Sequence, residues 1–452
     1  MAVQYPDAKF VGIDLSSRQV EMGQRAVRTL GVTNLDLRTA SITDVSPDWG
    51  TFDYILCHGV YSWVPDAVQD AILNVCRTNL SPEGVGYVSY NTYPGWHMRG
   101  MLREIMCFHA ARFTQPEEQV KEARLLLDFL TEACGGEKTP HALLLAQESQ
   151  LLRQQSDSYL YHEHLEEFNT PCYFAEFAKK VKATGLQYLG DAALPSMFAI
   201  GYPPKVLATL QRLCRDHIQF EQYLDFVRNR MFRASLVCHA GVELNRTIDA
   251  GVIEDLHFAS SAKRAAEQPA TATAFTLDSG ATVTTADPHL VAAVDALAAA
   301  WPGTLTFPQV AERVTTDTPA ARGTLSGGLL QLMMNGAVVA SAAPARCGNA
   351  VPDAPDVGAL ARHTATTEGW LPTFRHTVLR LDDFGKRVVP LLDGKNTQPA
   401  VLDQLMAQFR TGKLTLHHDG SRVRDEATAR ELLTKGLANL LETLRRGGAL
   451  RA

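Results

Sequence analysis

No run of apolar residues in this sequence is long enough to span a bilayer, and nothing at its start resembles a signal peptide. Its eight cysteines, at positions 57, 76, 107, 134, 172, 214, 238 and 347, include no C-x-x-C pair and lie mostly in apolar surroundings. That spacing argues against zinc and against a disulfide framework, so reduced thiols, no metal and a cytoplasmic location are expected. There is no basic arm and no acidic tail, and a formal charge of −6 gives no support to a partner bound by phosphate neutralisation. A glycine-rich loop between a strand and a helix is also missing. The "EGVG" at Glu83–Gly86 precedes a strand instead of following one, and "SGGLL" at Ser326–Leu330 lies in a helical tail.

What the 452 residues do hold is enough for two to four domains. Lys9–Asp14 is a short apolar run, Ser16 and Gln19 have the spacing of a capping box, and Leu30-Gly31 is a helix stop. "LDLRTA" follows, then the turn "SPDWGT" and the strand "FDYILCHGV". Asp66 is placed to cap a helix with Val68, Ile72, Val75 and Cys76 on one face, after which "SPEGVG" turns the chain into the strand "YVSYN". Strands alternating with helices at this spacing predict a mostly parallel, Rossmann-like doubly wound α/β sheet. Ligands of such sheets sit outside the carboxyl ends of the strands. There Asp14 either accepts hydrogen bonds from two ribose hydroxyls or caps the following helix.

The runs "FVGIDLS", "FDYILCHGVYSWVP", "GYVSYNTYPGWHMRGMLREI", "YLYHEHLEEFNTPCYFAEF" and "EQYLDFVRNRMFRASLVCH" together resemble bacterial class I S-adenosylmethionine-dependent methyltransferases that carry a methyltransferase regulatory domain. That group includes protein-lysine methyltransferases. The resemblance implies an S-adenosyl-L-methionine site made of Asp14 and Leu15, of Ser41 and Ile42 against the adenine, and of Cys57, His58 and Gly59 beneath the methionine part. The acidic residue usual at the adenine turn is absent. It further implies that Tyr61 and Trp63 face the substrate.

Tyr90, Tyr93 and Trp96 in "SYNTYPGWHMR" would suit a channel for an amine, unless Pro94-Gly95-Trp96 is a packed hinge. No catalytic residue is fixed. His58, Tyr61 and Tyr90 are the candidates, with His58 either a general base or a structural strand-end histidine. Methyl transfer needs alignment and exclusion of water more than it needs a base.

The family's first strand and its glycine-rich loop are not found, and are expected to lie upstream of Met1. The chain is therefore expected to be N-terminally incomplete and impaired in cofactor binding. The expected domains are an incomplete methyltransferase domain (1–97 and 158–245), a helical insertion or regulatory segment suited to a homodimer contact (98–157), a linker (246–285), and α+β winged-helix-like domains at 286–345 and 360–452. The expected partner is a protein substrate offering a lysine, with a small-molecule acceptor as the alternative. A non-catalytic scaffold descended from the enzyme is a further reading. A nucleic-acid-reading tail is disfavoured because "GTLSGGLLQLMMNG" is nearly devoid of groove-reading side chains.

Overall fold

The computed structural model describes residues 1–314 and 319–452, which divide into two compact units, Met1–Thr39 with Arg246–Ala452, and Ala40–Asn245. In the first unit β1 (Phe10–Asp14) and β2 (Leu35–Thr39) pair in parallel across α1 (Ser17–Thr29), with Phe10 opposite Leu35 and Asp14 opposite Thr39. The cap of α1 is half of the anticipated box: Ser16 Oγ accepts the Gln19 amide, and Leu30 closes the helix. Among the described residues these two strands form a sheet of their own.

The second unit is built on β3 (Phe52–Cys57), α2 (Asp66–Asn79), β4 (Leu80–Asn91), α3 (Trp96–Ala110), α4 (Pro116–Ala133), α5 (Pro140–Arg153), α6 (Asp157–His164), α7 (Phe174–Ala183), β5 (Leu186–Asp191), α8 (Pro204–Leu213), α9 (His217–Arg228) and β6 (Phe232–His239). Its sheet runs β3-β4-β6-β5. Only β3 and β4 are parallel, because β6 returns antiparallel between β4 and β5, so this sheet is mixed where a mostly parallel one was expected. β4 is also longer than "YVSYN". Phe52 pairs with Leu80 and Tyr54 with Val85, so the "SPEG" segment bulges out of a continuous strand instead of ending it. Asp66 sits in the first turn of α2 without a side-chain cap bond, and the buried face is Gln69, Ile72, Leu73 and Cys76. Ile72, Leu73 and Cys76 join Phe177 and Val181 of α7 in a core against Val88, Tyr90 and Val237. The helical stretch predicted from Met98 to Gln155 contains three helices, which with α6 form a separate core around Leu102, Met106, Leu127, Leu145 and Leu160.

One buried polar cluster supports β5 and β6. Arg233, with no solvent exposure, grips Asp225 through Nε and Nη2 at 2.8 and 2.9 Å and donates Nη1 to Glu221 at 3.0 Å. Its guanidinium lies 3.7 Å from the centre of the Phe174 ring. Asp191 is reached by Arg230 at 2.8 Å, and the Tyr188 hydroxyl donates to Glu221 at 2.8 Å.

The rest of the first unit corrects the expected linker at 246–285. That segment holds β7 (His257–Ala259), β8 (Lys263–Arg264), β9 (Thr273–Thr276) and β10 (Thr282–Thr285). The threonines that made it look loose are β-branched residues suited to a pleated surface, and Phe258 and Phe275 anchor it in the core. α10 (Pro288–Ala300) follows, capped by Asp287, whose carboxylate accepts the His289 and Leu290 amides. Then come β11 (Leu305–Thr306), α11 (Phe307–Val314), α12 (Pro319–Met334) and β12 (Val339–Ser341), with β7 central to a sheet β11-β7-β12. The chain ends with α13 (Ala359–Thr367), β13 (Trp370–Pro372), β14 (Val378–Arg380), α14 (Asp383–Val388), α15 (Gln398–Arg410), the hairpin of β15 (His417–His418) and β16 (Ser421–Arg422), and α16 (Glu426–Arg446). Leu433, Leu437, Leu441 and Leu444 line the buried stripe of α16. Among the described residues no helix is long and apolar enough to cross a membrane.

Candidate functional site

At the carboxyl end of β1, Asp14 Oδ1 accepts the Ser16 amide at 2.8 Å, and among the described residues the second carboxylate oxygen has no partner. The helix cap is Ser16, so Asp14 is not used up as a cap. Leu15 beside it is 77 % exposed.

The other expected cofactor residues belong to the second unit. Ser41 caps a short 3₁₀ turn in which Ser41 Oγ accepts from Thr43 and Asp44 Oδ2 accepts the Ser41 amide at 3.1 Å. Asp44 is thus the capping carboxylate of this turn, and the S-x-x-D spacing was the signal for that cap. Ile42 packs against the core.

After β3 the chain turns at Gly59, whose φ of +67° favours glycine and whose amide donates to Ser89 Oγ at 2.9 Å. His58 is exposed, its Nδ1 lying 3.0 Å from the Tyr87 hydroxyl and 3.2 Å from Ser89 Oγ. It is thus a hydrogen-bonded surface histidine and not one packed into the sheet. Tyr87 and Ser89 were not singled out from the sequence. The period-two alternation of "YVSYN", which puts both on one face of β4, could have found them. Burial pushes the Cys57 thiol up to about 12, so it stays protonated and is no nucleophile.

The aromatic residues divide in a way the sequence did not foretell. Tyr61 and Tyr90 are each 1 % exposed, packed together against Phe177 on the sheet face that α7 covers, and burial raises both phenols well above their usual range. Tyr90 bonds Ser235 at 3.0 Å and is a core residue, which corrects its placement on a channel wall. Trp96 is 2 % exposed at the start of α3, its ring 6.2 Å from that of Trp63, which agrees with a packed hinge. Trp63 and Tyr93 are half-buried, and Tyr93 stacks on His97 at 4.0 Å.

The strand ends are tied together by the segment before α7. Ser62 Oγ accepts the Asn91 amide at 2.8 Å, Thr170 donates its amide to the Ser62 carbonyl at 2.8 Å, and Thr92 bridges to Cys172 in parallel register.

A methyltransferase domain family matches residues 1–84, the methyltransferase regulatory domain family residues 156–239, and the PKMT C-terminal winged helix domain family residues 353–448. The regulatory match thus falls on α6 to β6 and not on the helices at 98–157. The uncharacterized protein RP789 of Rickettsia prowazekii (strain Madrid E) is 33 % identical over 457 residues, covering 98 % of this chain and 82 % of that protein. RP028 of the same organism is 41 % identical over 181 residues, 40 % of this chain and 72 % of its own length. The structure of PKMT2 from Rickettsia typhi in complex with AdoHcy superposes with a TM-score of 0.87 at 29 % identity, covering 99 % of this chain and 90 % of that one. The chain belongs to the S-adenosylmethionine-dependent methyltransferases that join a methyltransferase domain to a methyltransferase regulatory domain and a PKMT-type C-terminal winged helix.

Proposed function

We propose that this methyltransferase is a protein-lysine N-methyltransferase. The observation that carries the reading is the chain-long likeness to PKMT2, which extends beyond the catalytic sheet to the regulatory and winged-helix parts. The residues present suit the cofactor: Asp14 offers a carboxylate oxygen free for vicinal hydroxyls at a strand end, and the Gly59 turn leaves backbone uncrowded by a side chain. In this reading Asp14 holds the ribose with Leu15 beside it. Ser41 and Ile42 lie against the adenine, and Cys57, His58 and Gly59 support the methionine part. Bound there, the cofactor supplies an electrophilic methyl group on a sulfonium.

The chain's own part is to orient the acceptor and exclude water. Tyr61, Trp63 and Trp96 form the packed apolar backing of the acceptor side, which disfavours a charged amine and delivers it neutral, while Tyr93 is the accessible ring at which the amine arrives. His58 is the one candidate base that solvent reaches, since Tyr61 and Tyr90 are enclosed.

The reading includes weak cofactor binding. Among the described residues β1 and β3 each keep one edge without a partner strand, and no glycine-rich turn follows a strand. It also includes a cytoplasmic site of action, supported by eight free thiols, and a homodimer through the helical segment, supported by the exposed Phe108, Leu125 and Phe129. Nucleic acid is not part of it: Arg322, the basic residue of α12, is paired with Glu254 at 3.1 Å. The test is mass spectrometry of bacterial surface proteins incubated with enzyme and S-adenosylmethionine. Methylated lysines are expected, and methyl groups confined to metabolites would refute the reading in favour of a small-molecule acceptor.

A further inference from the structure

The aromatic rings that remain open to solvent near the end of β4 do not stand alone. Tyr93 stacks on His97 with ring centres 4.0 Å apart and planes 13° from parallel. His97 Nε2 lies 3.2 Å from the Tyr173 hydroxyl, Tyr173 is 5.4 Å from Tyr93, and Phe226 of α9 meets Tyr173 edge-on at 5.9 Å. His97 is exposed, Phe226 is 45 % exposed, and both tyrosines are half-buried. The surface therefore joins the loop after β4 to two helices that fall within the match to the regulatory domain.

Two carboxylates frame these rings. Glu104 is exposed on α3 two turns beyond His97, and so shares its helix face. Glu176, also exposed, opens α7 and accepts the Tyr173 amide at 3.0 Å. Burial raises the Tyr93 phenol, and Tyr173, Glu104, Cys172 and Glu176 push it the same way, which places both carboxylates in the field of that ring. Aromatic faces attract cations, and carboxylates add a charge that a neutral or acidic chain would meet only at a cost.

We propose that Tyr93, His97, Tyr173 and Phe226, with Glu104 and Glu176, form a docking surface for a lysine-rich segment of the acceptor protein. This rests on the reading of the enzyme as a protein-lysine methyltransferase and adds to it a role for the regulatory domain: it supplies half of the surface that recognises the chain around the target amine. The surface is continuous with the candidate site through Asn91–Tyr93, and its charge complements the acceptor. The specificity it confers is for lysines that have cationic neighbours.

The test uses the full chain and a fluorescein-labelled peptide of repeating lysine-alanine-alanine triplets, followed by anisotropy. The same peptide with every lysine acetylated, and the Glu104→Gln, Phe226→Ala and Glu267→Gln variants, complete the set; Glu267 is an exposed carboxylate in the other unit. The free-lysine peptide is expected to bind and the acetylated one to fail. Glu104→Gln with Phe226→Ala should weaken binding by at least about tenfold, with Glu267→Gln unchanged. Equal binding of the acetylated peptide, wild-type affinity in the double variant, or no binding at all overturns the proposal. Glu104→Gln is isosteric and exposed, so its result stands even if Phe226→Ala fails to fold. Lysine methylation of the acceptor is scored separately. A wild-type chain that methylates lysines but does not bind the peptide sinks the surface alone, whereas a wild-type chain that binds the peptide but methylates no lysine sinks the assignment of the reaction.

Discussion

Replacing Arg233 by Met tests the buried polar cluster most severely. The substitution keeps most of the side-chain volume against Phe174 but removes the guanidinium that bonds Asp225 twice and Glu221 at both its carboxylate and its carbonyl. Asp225 and Glu221 are 1 % and 2 % exposed and Asp191 is 4 % exposed, so solvent cannot take the place of the lost donor; Arg230 still faces Asp191 and Asp225, and Glu221 keeps the Tyr188 hydroxyl. Removing one partner of a buried pair costs about 3–5 kcal/mol. For a unit the size of Ala40–Asn245 that lowers the melting temperature by roughly 6–20 °C.

The loss has a pH signature. Burial already raises Glu221 and Asp225 in the folded protein, against the opposing pull of Arg233. A carboxyl raised on folding adds stability below its unfolded value and loses it as pH rises through the folded value, and without Arg233 both groups move further up. The deficit of Arg233→Met should therefore be largest near about pH 8 and shrink toward about pH 5.5, and adding Asp225→Asn should recover part of it. Differential scanning fluorimetry of wild type and both variants across that range measures this. A deficit below about 1 kcal/mol, or one that does not change with pH, would refute the reasoning.

Asp14→Asn keeps the turn to Ser16 and removes the charge, so affinity for S-adenosylhomocysteine should fall about ten- to a hundredfold by calorimetry with the melting temperature unchanged. Gly86→Ala would bring a methyl within 2.8 Å of Val237 Cγ2 and 3.0 Å of Cys76 Sγ in the sheet core, and a loss of about 1–3 kcal/mol is expected in urea unfolding. Asp287→Ala removes the cap of α10 and should cost about 0.5–2 kcal/mol, again by urea unfolding. Cys57, Cys76 and Cys172, whose thiols burial pushes up to about 12, should resist iodoacetamide in the folded protein and react on unfolding, as peptide mapping would report.

The strand-helix order of the first ninety residues was legible because each element carries its own punctuation: Ser16 before α1, Leu30 after it, and short apolar runs between polar turns. So were the Asp287 cap and the amphipathic leucines of α16. What stayed hidden depends on partners far along the chain. The "SPEG" bulge is fixed by pairing with β3, and β8 to β10 are strands because Phe275 is held in a core. Tyr90, Tyr93 and Trp96 looked like one aromatic channel, but side-chain direction set by the strand and the hinge encloses Tyr90 and Trp96 and leaves Tyr93 to solvent. Arg233 and its carboxylates gave no local sign of being buried together.

The bridge between Thr92 and Cys172 makes the intervening helices a closed excursion, leaving the sheet and returning to the place of departure. Because Leu102, Met106, Val120, Leu127, Leu145 and Leu160 form a core of their own, the excursion supports itself. A short turn spliced between its two roots would satisfy the same geometry, so this stretch is a module that descent can lengthen, trim or exchange while the sheet beneath keeps its register.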